Sequence, residues 1–491
     1  MSSDKTSDKF YGVVIIGAGI AGLSVAETFT AAGFEDFIIL EASDRIGGRC
    51  HTEDFGGSFV ELGANWIHGT TSENSIMVLA EENDLANKQE LMNWSKGCFY
   101  KSDGRKIDED LGAKVWDFCM EIDAEAQRMH CCLSKQDKTI YTVEDFYVDR
   151  LPEFLEKFSM SDRDDATAIF NSFFNYQRLN FGWDIAKVPF ESYIKYKDID
   201  GGDAFMPKGA RSLISAIASR FRSKERIKVG VEVVTVNWED GGVKIRCSSG
   251  DTYRAKCAVV TVSLGYLKKH HQTFFYPPVS HEKYLAIDRI AFGVVNKIFL
   301  EYDPPFWSKD TPLDSVRLAW DNKELVITDH KSQWFKRIFC IDAVRFNPNC
   351  LCVWISCHEG LHVETVPDEE ISETCTMVLR QFLGDPTIPY PCKVIRSTWG
   401  TNKYTLGSYS CMGLRSDASH FNILAEPLKD SNGQLRVLFA GEATHAAFNG
   451  TMHGARESGV REATRLLRQF GTDPRKSECF IRDLVVLNEV Y

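Results

Sequence analysis

The stretch Val13-Val14-Ile15-Ile16-Gly17-Ala18-Gly19-Ile20-Ala21-Gly22 decides how this chain folds. Tyr11 to Ile16 is apolar and β-branched and runs straight into glycines, so it reads as a buried parallel strand. Leu23 to Ala32 repeats apolar residues at helical spacing, and Gly33 is placed to end that helix. In the turn between them, Gly17 permits the tight reversal and Gly19 lets a pyrophosphate approach the backbone. Gly22 lets helix and strand pack closely, with Ala21 beside it. The helix N-terminus then faces negative phosphates. A second apolar run, Phe37 to Leu40, ends in Glu41, which is placed to accept hydrogen bonds from an adenosine ribose. Together these segments form a β-α-β unit of an α/β fold and predict a dinucleotide site.

Around that unit the chain has 491 residues, which corresponds to about two to four domain-sized units. With 44% hydrophobic and 26% charged residues it buries a large core, and bulk disorder is excluded. Lys and Arg number 57 against 69 Asp and Glu, a net charge of −12. That balance argues against nucleic acid or an anionic membrane as partner and suits a cationic one. No run of about 18 apolar residues is present, so no membrane span is expected. Met1 to Lys9 is polar and lacks the apolar core of a secretory signal. The 15 cysteines are scattered, the nearest being Cys131-Cys132 and Cys350-Leu351-Cys352, with no Cys-x-x-Cys. Reduced thiols, a cytoplasmic location and no bound metal are expected.

From about Asn74 to Asn180 the pattern becomes helical. Val115, Phe118, Cys119 and Ile122 fall on one face, and Val143 to Phe158 and Ala166 to Tyr176 also read as helices. Pro207-Lys208-Gly209 opens a further helix with Leu213, Ile214, Ile217 and Phe221 on one side. Arg226 to Val262 is rich in Val, Ile and Thr, with Asp240-Gly241-Gly242 as a hairpin turn. Strands recur at Asn296 to Glu301 and Cys352 to Cys357. A last unit has a strand at Val437 to Ala440 and a helix from about His453 to Gln469. The nucleotide unit and this last unit stand at opposite ends of the chain. A cofactor domain of residues 1–73, 205–285 and 405–475 is therefore expected. A substrate domain of 74–204 and 286–404 is inserted into it, and 476–491 form a tail.

Further motifs narrow the cofactor. Asp44-Arg45-Ile46-Gly47-Gly48-Arg49 follows Glu41 and makes a second close-approach turn, with two arginines for phosphate. A nicotinamide enzyme does not need it, whereas an extended FAD does. In Gly63-Ala64-Asn65-Trp66-Ile67-His68-Gly69, small residues flank an aromatic and a histidine, so backbone can lie against a planar ring. Phe439-Ala440-Gly441-Glu442-Ala443-Thr444 ends a strand in a carboxylate that suits a ribityl chain. The helix after it points its positive end at an electron-rich flavin.

Taken together these motifs resemble the FAD-dependent amine oxidase family, and most of all its polyamine oxidase branch of spermine and N-acetylpolyamine oxidases. The resemblance runs from about Val13 to Leu467. Its most specific pieces are Leu62 to Gly69, Asn296 to Glu301 with Pro305-Phe306-Trp307, and Phe439 to Thr444 followed by His453-Gly454-Ala455. Val259 to Gly265 resembles the family's return strand into the FAD domain. The resemblance implies a two-domain amine oxidase fold, with a Rossmann-like FAD domain built from separated segments and an α+β substrate domain carrying a helical insertion. It implies oxidation of a polyamine (spermine, spermidine or an N-acetyl form) at a carbon beside a secondary amine, with molecular oxygen as acceptor. The products are an aldehyde, a shorter amine and hydrogen peroxide. Another amine or amino-acid oxidase of the family, or a flavin-binding regulatory protein without turnover, are the alternatives.

By the same resemblance Lys297 holds a water against the flavin, and His68 positions the amine. Val233 meets the adenine through its backbone, Trp399 and Tyr409 stand near the flavin face, and Thr451 and Met452 lie at the cofactor, with Thr451 also reaching substrate. A buried ammonium such as that of Lys297 needs polar partners on general grounds too. The chain departs from the branch in Ala446 to Met452, which is less aromatic than usual, with Met452 in place of a small hydroxyl residue. Covalent monoamine oxidases carry a cysteine where this chain has Ser408, and a C-terminal membrane helix that is not expected here after Gln469. Asn488-Glu489-Val490-Tyr491 does not match a Ser-Lys-Leu peroxisomal address. Glu191, Asp198, Asp200 and Asp203 are the candidates for an acidic channel mouth, with Glu191 placed at the substrate. Because Ser408 offers no thiol, acid denaturation should release intact FAD into the supernatant. Flavin that stays with the precipitated polypeptide would overturn this expectation.

Overall fold

In the computed structural model of the chain, which describes residues 6–89, 91–92, 97–129, 141–221, 224–239, 241–307 and 313–474, the Tyr11–Ile16 run extends back to Thr6. Three sequence expectations, on Cys131-Cys132, on Asp240 in the hairpin turn and on the C-terminal Asn488 to Tyr491, lie outside these residues. The Thr6–Ile16 strand sits inside a nine-stranded sheet. It pairs in parallel with Phe37–Leu40 on one side and Thr252–Val260 on the other, and the latter pairs in parallel with Leu435–Phe439. Ile16 lies opposite both Leu40 and Val260, and Val260 lies opposite Phe439. Four strand ends are therefore level, and Gly17, Glu41, Thr261 and Ala440 follow from them in one row. The strands are apolar on both faces because helices cover both, as parallel sheets require. An antiparallel hairpin, Val233–Asn237 with Val243–Cys247, widens the sheet.

The first helix is Ile20–Ala31, starting three residues before the apolar period suggests because Gly19 serves as its N-cap. A Cβ on Gly22 would stand 2.0 Å from the Gly17 carbonyl oxygen, so only glycine permits this strand-to-helix junction. The last helix, Met452–Gln469, lies against the first. Gly459 meets the Ala21 carbonyl there, at 2.3 Å from where its Cβ would be. Between the two helices Arg456, fully buried, donates to Glu27 at 2.6 Å, and Arg220 reaches the other oxygen of Glu27 at 2.8 Å.

A six-stranded sheet runs Lys393–Arg396, Val295–Glu301, Cys350–Ser356, Cys340–Ala343, Ser315–Ala319, Cys98–Lys101. Cys357 leaves it, because its left-handed φ of 61° turns the chain into the Cys357–Val363 helix. Helices Glu109–Arg128, Val143–Glu156 and Arg163–Phe181 pack on one another through Trp116, Phe146, Tyr147 and Phe173, and on this sheet through Ala319 and Phe339. The second of them opens on a capping box between Thr142 and Asp145. Among the described residues no helix is long and apolar enough to cross a membrane, no disulfide forms, and no group of three or more metal-ligating side chains occurs.

The Glu27–Arg456 contact fastens the two helices that flank the nucleotide turn. Glu27→Ala would leave a buried guanidinium without its carboxylate, and unfolding in denaturant should show a loss of about 3–5 kcal/mol. A loss below about 1 kcal/mol would mean that packing alone holds the helices together.

Candidate active site

The level ends of the four parallel strands open into a cavity of about 750 Å3, which is also lined by Lys297, Trp354 and Trp399 and by residues of the 109–128 and 163–181 helices. At the strand ends the lining fits a dinucleotide. Gly17 has a φ of 108°, and a Cβ on Gly19 would meet no atom within 4 Å. No side chain caps the Ile20–Ala31 helix, so its first N–H groups point toward open space, as a pyrophosphate site requires. Gly441, with a φ of 132°, likewise borders open space. Glu41 is buried at the end of its strand. Its carboxylate accepts from the Ala18 N–H at 2.7 Å and from the N–H and hydroxyl of Ser43 at 2.9 and 2.7 Å. It therefore sets the shape of the turn and still lines the cavity. Val233 lines the same end, its carbonyl accepting from the Tyr266 hydroxyl at 3.2 Å.

Gly48, Ala64 and Ala21 also line the cavity, whereas Gly22 stands behind it in the strand–helix junction. Arg45 lines it too, but its guanidinium folds back on its own turn and donates to the carbonyls of Gly48, Ile46 and Cys50. Glu442 also lines the cavity and is tied to protein donors. One oxygen accepts from Arg49 at 2.8 Å. The other accepts from the N–H and hydroxyl of Ser410 and from the Gly450 N–H at 2.8 Å. Among the described residues Oε1 thus accepts from Arg49 alone, so Glu442 joins three segments of the wall and keeps an acceptor position at the cavity that it lines. Arg49 also donates to the Ser408 carbonyl at 2.6 Å. The Ser408 hydroxyl is tied to the N–H and carbonyl of Val295 at 2.8 and 2.9 Å. Thr451 caps the last helix, accepting from the Gly454 N–H at 3.0 Å and donating to the Phe448 carbonyl, and it lines the cavity. Met452 packs its sulfur 3.6 Å from that of Cys50.

Lys297 lies directly opposite Trp354 in the paired strands, its ammonium 4.8 Å from the Trp354 ring centre. Trp66 stacks on the other indole at 5.2 Å. The Lys297 ammonium donates to the carbonyls of Glu61 at 2.6 Å and Gly63 at 2.7 Å and to Asn65 Oδ1 at 3.2 Å. Burial pushes its pKa down to about 8. The Trp399 indole donates to the Leu62 carbonyl at 2.9 Å, so the Leu62–Asn65 loop is gripped from both sides. Tyr409 donates its hydroxyl to the Leu179 carbonyl and presents its ring to the cavity.

His68 sits on the short strand Trp66–His68, opposite Asp203 of Asp203–Phe205, and its Nδ1 lies 2.8 Å from Asp203 Oδ1. Burial lowers its pKa, but Asp203 and Asp198 outweigh that and raise it overall. Buried His453, also in the wall, is pushed down to about 3 by burial and by the nearby His68 and His445. Of the expected acidic residues, Asp198 and Asp203 line the cavity. Asp200 does not, and Glu191 pairs on the surface with Lys195 at 2.7 Å, one helical turn away. Sequence reasoning missed Glu61, Asn65 and Trp354, which hold Lys297. It also missed Asp123, Tyr176 and Tyr196 in the wall, since long-range packing alone brings them there.

The profile of a protein family described as flavin containing amine oxidoreductase matches residues 20–467 of the chain. The chain is 32% identical to the human peroxisomal N(1)-acetyl-spermine/spermidine oxidase, over 93% of this chain and 94% of that one. It is 29% identical to an Arabidopsis thaliana protein named Probable polyamine oxidase 5, over 93% and 98% of the two chains. It is also 28% identical to lysine-specific histone demethylase 1 homolog 3 of indica rice, over 95% of this chain but 55% of that one.

An ammonium held by two carbonyls and an amide, with a pKa of about 8, changes charge in the working range. Flavin reoxidation by oxygen should titrate near pH 8 in the wild type, with charged Lys297 below and neutral Lys297 above. In Lys297→Met that step should vanish and one redox half-reaction should slow by about 100-fold. Stopped-flow reduction and reoxidation measured separately across pH check this, and an unchanged titration would remove Lys297 from the chemistry.

Proposed function

The chain belongs to the flavin-containing amine oxidoreductases, and we propose that within this family it oxidises polyamines at a carbon beside a secondary amine. An aldehyde, a shorter amine and hydrogen peroxide are the products. The observation that carries this reading is one cavity that joins a dinucleotide cradle at the strand ends to the carboxylates of Asp198 and Asp203. FAD, when bound, accepts hydride and passes the electrons to oxygen. The protein's own residues then have separable tasks.

The uncapped helix of Ile20–Ala31 and the Gly17–Gly19 backbone would hold the pyrophosphate, and Glu41, at its strand end, would take the ribose. Trp399, Tyr409 and the Trp66–Trp354 stack give the reacting centre apolar walls. Hydride leaves only from a carbon beside a neutral nitrogen, and such walls disfavour charge on that nitrogen. Asp198 and Asp203 attract the charged nitrogens that remain, and His68, oriented by Asp203, aligns the chain. Lys297 holds its proton at Nζ between the Glu61 and Gly63 carbonyls and can exchange the long Asn65 contact for a water. In this reading the nine-stranded sheet is the core of a cofactor domain. The six-stranded sheet with its helices is the core of a substrate domain.

The holoenzyme mixed anaerobically with spermine should bleach. Its kcat/KM should fall as salt rises, because the Debye length shrinks from about 10 Å at 0.1 M to about 3 Å at 1 M. A specificity constant indifferent to salt, with a monoamine used as well as the tetraamine, would overturn the polyamine reading.

A further inference from the structure

Asp123 stands on the Glu109–Arg128 helix, in the part of the cavity wall contributed by the helical segment. Two neutral donors fix its carboxyl. The Tyr147 hydroxyl donates to Oδ1 at 2.7 Å, and the Gln177 side-chain N–H donates to the same oxygen at 2.9 Å. Among the described residues no partner is found for the second oxygen. Asp203, by contrast, has the imidazole of His68.

Among the described residues no cation compensates Asp123. The charged group that acts on it is another carboxylate, Asp198, and burial together with that repulsion pushes its pKa up to about 7. Tyr176 and Tyr196 complete this end of the wall. A half-buried carboxyl held in place by two donors and repelled by Asp198 is costly unless a cation arrives from outside.

We propose that Asp123 receives a terminal ammonium of the substrate, so that the enzyme requires a polyamine with at least one free, charged end. The inference rests on the polyamine reading and deepens it. A chain acetylated at one end still offers an ammonium to Asp123 in one of its two orientations. A chain acetylated at both ends offers none, and leaves the half-buried carboxyl without a counter-charge. Asp123 is thus a specificity residue at a distance from the reacting carbon, acting on binding and not on hydride transfer.

The test compares spermine with N1,N12-diacetylspermine, on wild-type holoenzyme and on Asp123→Asn. The asparagine keeps an oxygen for Tyr147 and Gln177 but cannot carry charge. Wild type should prefer spermine by about 10-fold or more in kcat/KM. In Asp123→Asn the value for spermine should fall about 10- to 100-fold, through KM, while that for the diacetyl chain changes less than about 2-fold. Flavin content and spectrum should stay those of the wild type. Equal losses on both substrates, or a wild type that uses both equally well, would overturn the proposal, and the second result decides even if the variant fails to fold. A wild type that oxidises neither spermine nor any other polyamine would overturn the polyamine reading itself, and this inference with it.

Discussion

The register of four parallel strands is the constraint on which the site depends. With Ile16 level with Leu40 and Val260, and Val260 level with Phe439, the residues that follow each strand are delivered to one edge. Gly17 turns, Glu41 accepts, Thr261 closes the back of the turn and Gly441 leaves room. A slip of one residue in any pair would reverse the faces of that strand and withdraw its contribution. The strands come from residues 6–40, 252–260 and 435–439, so the edge exists only once distant parts of the chain have met.

The second layer of order is the way carboxylates and carbonyls are committed to protein donors. Glu442 links Arg49, Ser410 and Gly450, and Glu27 links Arg456 and Arg220. Neither residue needs to touch a ligand to matter, because each sets the distance between segments that do. This is why a residue in a family motif can matter to a cavity through the segments it joins as well as through any ligand it meets.

Much of the nucleotide end was legible in the sequence, because glycine conformation, helix starts and strand ends are local properties. The Gly17–Gly22 turn, Glu41 and the Lys297 strand stand where local pattern puts them. The amine end was less legible. Asp123 looks like one more acid on an amphipathic helix, and only the packing of Tyr147 and Gln177 around it distinguishes it. Glu191, equally acidic and near in sequence to Asp198, faces outward because Lys195 lies one turn along the same helix. Arg45 satisfies its donors on its own turn, a use that charge and spacing do not reveal.

The grip on Lys297 has a mechanical consequence. Its strand belongs to the six-stranded sheet, while its acceptors, Glu61, Gly63 and Asn65, belong to the N-terminal segment that leads out of the nine-stranded sheet. Arg49 ties that same segment to Ser408 and Glu442. Swinging the two sheets apart would strip a buried ammonium of its acceptors. Traffic through the molecule must then follow a passage opened by side-chain and loop motion, as thread passes a needle's eye, and not a hinge that opens like a jaw.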